Sequence, residues 1–292
     1  MSLYDHAKFV RVADGGDSLR LCAARLPAVS RDAPRRILCL HGNPSHLDHW
    51  TAIVPALTRR GEVVAYDEPG FGRSDRLGRG RPSLERSARV ACALLDRIGW
   101  KSGVDVIGQS HGGMVALALA AIAPSRVARL VLLGTGGTPA HAAYRLLAVP
   151  GAGLALAGTS AVLLRALPPA VMRALVRVGA RRAFSPDPAP RDVVDDELRL
   201  LATRPALLLD MARLTSDDPC AKVAAFAARV TSPVLAVHGS DDALVPIAYA
   251  RRLFAILRLA SPSSRFVELP GGHMLHLSRP AIVAPEIEAW LA

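Results

Sequence analysis

Aromatic side chains are scarce in this chain, at 4% of 292 residues, and lysine is scarcer: only Lys8, Lys101 and Lys222 stand among 36 basic residues. Few aromatics leave little surface on which nucleic-acid bases can stack. A formal net charge of +11 would suit an anionic partner. The arginines are scattered, however, with their densest stretch at Arg73, Arg76, Arg79, Arg81, Arg86 and Arg89, and no helix-turn-helix or zinc pattern accompanies them. The pattern reads as a solvated arginine-rich surface with no nucleic-acid partner. Cysteine is sparse as well. Cys22, Cys39, Cys92 and Cys220 show neither a close pair nor a zinc spacing, which excludes a disulfide framework and a zinc module. They read as reduced thiols, Cys39 in a buried strand and Cys92 on an apolar helical stretch.

Met1 to Arg20 lacks the apolar core of a secretory signal, so a cytoplasmic protein is expected. Charge is missing from Leu146 to Leu164, a run about the length of a membrane span. Pro150, Gly151, Gly153 and Gly158 interrupt it, and Thr159 and Ser160 add polarity. Stable membrane insertion is therefore not expected, and the run reads as a loosely packed helical segment with an apolar inner face. No pattern specifies an oligomeric state.

Apolar residues are plentiful, at 51% of the chain. At this length, one large α/β core carrying an insertion is more natural than two independent domains. Residues 8–26 read as a hairpin turning near Gly15-Gly16, and strands and helices alternate from residue 36 to about 135. Between 138 and 230 the alternation stops. Apolar runs at helical spacing appear there, broken by Pro150, Pro168-Pro169 and Pro186 to Pro190. Strand alternation resumes at Pro233.

Gly108-Gln109-Ser110-His111-Gly112 is a G-x-S-x-G pentapeptide. The β-branched run Val104 to Ile107 precedes it, and Met114 to Ala121, suited to a helix, follows it. A serine on a sharp strand-to-helix turn projects its hydroxyl where a base can reach it. Such chemistry also needs a base, an acid to orient it, and donors for a developing oxyanion. The base candidate is His273 in Leu269-Pro270-Gly271-Gly272-His273, just past a strand over Arg265 to Leu269. An acid candidate lies in the polar turn Ser240-Asp241-Asp242, past the strand that ends at His238-Gly239, where Asp241 and Asp242 are both available and Asp241 can instead cap the next helix. The strand pattern Arg36 to Leu40 leads into His41-Gly42-Asn43-Pro44, and the backbone N–H groups of Asn43 and His111 are the oxyanion-hole candidates.

These dispersed motifs resemble those of the α/β-hydrolase superfamily, whose members carry serine, acid and histidine in this chain order. Asp67-Glu68-Pro69-Gly70-Phe71-Gly72-Arg73-Ser74 resembles the family's D-x-P-G-x-G-x-S turn. The resemblance implies a mostly parallel, eight-stranded sheet flanked by helices, with residues 1–137 and 231–292 as core and 138–230 as an inserted helical lid. It implies Ser110 as nucleophile, Asp242 as acid and His273 as base, acting without metal or cofactor on a carboxylic ester, lactone or thioester of a small, partly hydrophobic molecule. Two alternatives share this scaffold: a carbon–carbon bond hydrolase of the meta-cleavage type, and a binding member that does not turn over. The His41-Gly42-Asn43-Pro44 segment, with Trp50 nearby, also resembles haloalkane dehalogenases. Those use an aspartate nucleophile, and a serine alkyl ether offers no carbonyl for water to attack. His41, His46 and His49 with Asp48 resemble a metal cluster in composition, but His41 is better explained by the oxyanion loop. His238 reads as a packed histidine, and His276 as local structure.

Overall fold

The computed structural model describes residues 2–30, 32–78, 82–136, 168–203 and 219–292. A hairpin opens the sheet, β1 (Ala7–Asp14) against β2 (Asp17–Leu26). Gly15 and Gly16 close it at φ 57° and 102°, a two-residue turn that side chains with a Cβ resist. The remaining strands are β3 (Arg35–Leu40), β4 (Gly61–Tyr66), β5 (Val104–Gln109), β6 (Val127–Leu133), β7 (Val234–Gly239) and β8 (Arg265–Leu269). They form one eight-stranded sheet in the order β1-β2-β4-β3-β5-β6-β7-β8. The first two pairings, β1–β2 and β2–β4, are antiparallel, and every later one is parallel. This is the mostly parallel sheet implied by the motifs.

Helices cover both faces, which is why the central strands read as continuous apolar runs rather than alternating ones. Every residue of β5 is buried. On one face lie α2 (Leu84–Arg97) and α3 (His111–Ile122), packed through Ala88, Leu94, Val115 and Leu119. Ser83 caps α2, its Oγ accepting from the Arg86 N–H at 3.2 Å. The Arg86 guanidinium grips buried Asp14, tying the hairpin to this helix. On the opposite face α1 (Val54–Thr58) and the C-terminal helix (Pro280–Trp290) enclose Trp50, Ile53, Val283 and Ile287. The helix after the G-x-S-x-G motif begins at His111, earlier than the apolar run from Met114 suggests.

Between β6 and β7 the described residues form α4 (Pro169–Phe184), α5 (Arg191–Thr203) and α6 (Pro219–Ala227). Val176 and Ala180 of α4 pack on Val194 of α5, and Leu200 of α5 packs on Phe71. Val223, Phe226 and Ala227 of α6 join the main core beside α3. The last helix of the 138–230 segment thus contributes to core packing. The uncharged run Leu146 to Leu164 lies outside the described residues, as do the other parts of the segment at 137–167 and 204–218. Among the described residues no helix is long and apolar enough to cross a membrane.

The chain continues as α7 (Ile247–Ala260), preceded by Pro246, then the short α8 (Leu275–Ser278) and α9, the C-terminal helix. Parallel strands bring their carboxyl ends to one edge of the sheet, and the loops there carry the candidate residues.

Candidate active site

Ser110 occupies the turn between β5 and α3 with φ 51° and ψ −115°. Among the described residues it alone has a positive φ without being glycine. Such a conformation persists only where its surroundings over-determine it. Its N–H donates to the Leu133 carbonyl at 2.8 Å, and its carbonyl accepts from the Gly113 N–H at 3.1 Å. Gly112 admits the close approach of β3: a Cβ there would run into the Leu40 carbonyl. Gly108 has the same role on the strand side, with the Gly113 Cα only 2.6 Å from where its Cβ would stand. The glycines flanking Ser110 are thus set by close contact, not by a positive φ.

Asp242 and His273 are brought together. The Asp242 Oδ2 accepts from the His273 Nδ1 at 2.8 Å, and its Oδ1 accepts from the N–H groups of Leu244 at 2.9 Å and Val245 at 2.7 Å. Burial opposes the Asp242 charge, yet the hydrogen bond and charge of His273, the Val245 N–H and His238 outweigh it. The carboxyl is held below its ordinary range. With Nδ1 occupied by Asp242, the His273 Nε2 is the ring nitrogen left for another partner. The ring lies beside β6, with its Nδ1 3.3 Å from where a Gly134 Cβ would stand, next to the Leu133 that holds the Ser110 N–H.

Asp241 faces elsewhere. Its Oδ2 accepts from the Gly271 N–H at 3.0 Å, and its own N–H donates to the Gly271 carbonyl at 3.0 Å. It fastens the loop before His273 and caps no helix. His238 is packed, and it also touches the acid. Its Nε2 donates to the Val245 carbonyl at 2.7 Å and lies 3.3 Å from the Asp242 Oδ2. A strand pattern announces burial at His238 but not this contact.

The loop after β3 passes close to Ser110: a Cβ on Gly42 would lie 3.4 Å from the Ser110 Cβ. Asn43 follows, with its side-chain oxygen buried and unpartnered. His111 opens α3, where first-turn N–H groups have no intrahelical acceptor. Both oxyanion candidates therefore border Ser110, and the amino end of α3 adds a favourable dipole. Packing pushes the His111 imidazole down to about 4.

The neighbouring histidines have other occupations. The His41 Nε2 accepts from the Glu68 N–H at 2.9 Å, so its Nδ1 carries the proton donated to the Gly42 carbonyl at 2.7 Å. Burial lowers its pKa to about 3. His49 pairs through Nδ1 with the Ser45 hydroxyl at 2.6 Å, and Asp48 accepts from the Ser2 hydroxyl at 2.7 Å. Asp67, in the D-x-P-G-x-G-x-S turn, accepts from the N–H groups of Leu47 at 2.8 Å and Arg73 at 2.7 Å, which fixes the turn against the oxyanion loop. His276 is buried beside Trp50, with ring centres 5.4 Å apart. Among the described residues no three His, Cys, Asp or Glu side chains are arranged to hold a metal ion.

The segment between β6 and β7 reaches this site at two places. Met274, next to His273, donates its N–H to the Ala183 carbonyl at 3.1 Å, and Arg279 grips Asp187 through Nε at 2.8 Å and Nη2 at 2.8 Å. Asp196 of α5 lies 3.9 Å from the His46 Nε2. Sequence spacing gave no signal for these long-range ties.

Residues 35–280 match the family model of the alpha/beta hydrolase fold. The dihydrolipoyllysine-residue acetyltransferase component of the acetoin cleaving system of Pseudomonas putida is 28% identical over 268 residues. That match covers 87% of this chain and 63% of the relative, so the chain spans less than two thirds of that protein's length. The 2-hydroxy-6-oxononadienedioate/2-hydroxy-6-oxononatrienedioate hydrolase of Cupriavidus pinatubonensis is 27% identical over 264 residues, covering 85% of this chain and 83% of that one. Among solved structures, a thermophilic esterase from Thermogutta terrifontis superposes with a TM-score of 0.77 at 22% identity, over 98% of each chain.

Proposed function

This chain belongs to the α/β-hydrolase fold family, and we propose that it is a serine hydrolase that cleaves a carboxylic ester, lactone or thioester of a small, partly hydrophobic molecule. The observation that carries the reading is the Asp242–His273 hydrogen bond of 2.8 Å, at the sheet edge where Ser110 is held with a positive φ. A buried carboxylate on Nδ1 fixes the imidazole tautomer and leaves Nε2 as a base.

In this reading His273 takes the Ser110 proton as Oγ attacks the carbonyl carbon, and Asp242 stabilises the imidazolium that forms. The N–H groups of Asn43 and His111 receive the oxyanion. His273 then protonates the leaving alkoxide or thiolate. Water, deprotonated by the same histidine, attacks the acyl-enzyme, and His273 returns that proton to the departing Ser110 Oγ as the acid is released. The proton inventory closes with water alone as co-reactant. The segment 138–230 acts as a lid, and its ties to Met274 and Arg279 support that role by joining it to the loop that carries His273.

A second reading is carbon–carbon bond hydrolysis. It is favoured by the similarity to the Cupriavidus hydrolase, which extends along 85% of this chain. The same serine, acid and base would serve it.

The test is labelling with a fluorophosphonate followed by intact mass. Wild type should gain a single adduct and Ser110→Ala none, with both melting at similar temperatures. An adduct that persists in Ser110→Ala would remove Ser110 from the mechanism. Esters, lactones and vinylogous diketone ring-fission products assayed side by side then separate the two readings.

A further inference from the structure

One cavity lies away from the loops that carry Ser110 and His273. It lies between α4 and α5, has a volume of about 510 Å³, and is lined by Arg173, Arg177, Arg181, Arg191, Val194 and Asp195, with Pro188 and Ala189. Three of the arginines stand at i, i+4 and i+8 on α4, so they share one face at about 6 Å intervals. The fourth opens α5, whose first-turn N–H groups have no intrahelical acceptor.

Arginines spaced four apart on one helix repel each other. Only Arg173 finds an anion here, Asp195 at 3.6 Å, and no ion pair to Arg177, Arg181 or Arg191 is found among the described residues. This local excess of positive charge is concentrated in a concavity. Its volume falls in the range of small-molecule sites, and Pro188, Ala189 and Val194 supply an apolar floor.

We propose that this cavity is a binding site for a nucleoside polyphosphate-like ligand, with its phosphates on Arg177, Arg181 and Arg191 and its apolar moiety on Pro188, Ala189 and Val194. Guanidinium groups bind phosphate oxygens through paired hydrogen bonds, and the amino end of α5 favours the same charge. The site is separate from Ser110 and His273, and it stands whether or not the hydrolase reading does. A concave site of this volume suits a discrete molecule better than the flat surface of a membrane.

The test is calorimetric titration of the full chain with ATP, and with inorganic triphosphate, near physiological salt. One saturable site is expected. Arg177→Glu with Arg181→Glu should weaken it at least about tenfold, through loss of two charge-assisted contacts. Arg252→Glu with Arg258→Glu, on exposed positions of α7, makes the same change in net charge and should leave affinity within about twofold, because it acts only through long-range attraction. Arg177→Gln with Arg181→Gln serves if the glutamate pair does not fold, as judged by melting. Ser110→Ala should bind as wild type does. The proposal is overturned by absence of saturable binding, by equal losses in both arginine pairs, by loss of binding in Ser110→Ala, or by binding confined to vesicles of anionic lipid.

Discussion

His238 and His273 approach the same oxygen of Asp242, at 3.3 Å and 2.8 Å. One carboxylate oxygen thus lies between two imidazoles, while the other accepts two backbone N–H groups of the following turn. Asp242→Asn should therefore lower kcat by about 10³- to 10⁴-fold through the wrong His273 tautomer. Asp241→Asn, which weakens the Gly271 contact, should cost about 1 kcal/mol of stability and much less activity. Steady-state kinetics with thermal melts decides it, and comparable kinetic losses at both positions would sink the assignment of Asp242 as the acid.

The strain at Ser110 has a measurable size. Replacing it with glycine removes the cost of a positive φ but adds chain entropy to the unfolded state. The net gain should be about 1 kcal/mol, or a melting temperature about 1–2 °C higher for a chain of this length, with activity abolished. A melting temperature that drops would show that the serine side chain contributes to the fold.

Acid should destabilise the protein before it titrates ordinary carboxylates. Burial lowers His41 and His276 to about 3 and holds His49 well below its ordinary value. These rings stay neutral in the fold, while the unfolded chain takes up protons below about pH 6.5. Stability then falls as pH drops through that value, by roughly 2 kcal/mol at pH 5 for each of His41 and His276, with His49 acting in the same direction. Glu68 acts in the opposite sense: burial raises it to about 7, so protonation of the folded form relieves its cost and offsets about as much as one of His41 and His276 loses. Melting between pH 7 and pH 5 should show a net loss, and His276→Gln should flatten the curve. A flat wild-type curve would mean these rings are charged in the native state.

Arg279 and Asp187 join the segment after α4 to the helix pair that follows His273. Arg279→Gln should speed amide exchange at residues 183–190 and 271–279 together. It should also lower kcat/KM about three- to tenfold by loosening the base loop. Faster exchange in one stretch alone would contradict the coupling.

Much of this site is legible in the residues because its parts are local. A serine between glycines after a β-branched run announces a turn, and His41-Gly42-Asn43 announces a loop at a strand end. The alternation of strands and helices follows from apolar runs punctuated by turn residues, whereas one mostly parallel sheet is what the family resemblance implies. What stays hidden depends on long-range register. Asp241 and Asp242 are chemically identical neighbours, and only the path of the turn sends one to Gly271 and the other to His273. The strand pattern buries His238 without aiming it at an acid. Arg279 and Asp187 are 92 positions apart, and no periodicity joins them. The helix at Pro219–Ala227 follows a proline-broken stretch that reads as separate from the core, yet Val223 and Ala227 are fully buried in it.

The chain leaves the sheet at Leu133 and re-enters it at Val234, on strands that are direct hydrogen-bonded neighbours. The two doors of this long excursion therefore stand side by side. Core pairing already fixes their separation, and the entropic cost of the excursion rises only logarithmically with its length. Most of the excursion can be lengthened, shortened or exchanged as a cassette while the strand ends that hold Ser110 and Asp242 keep their places.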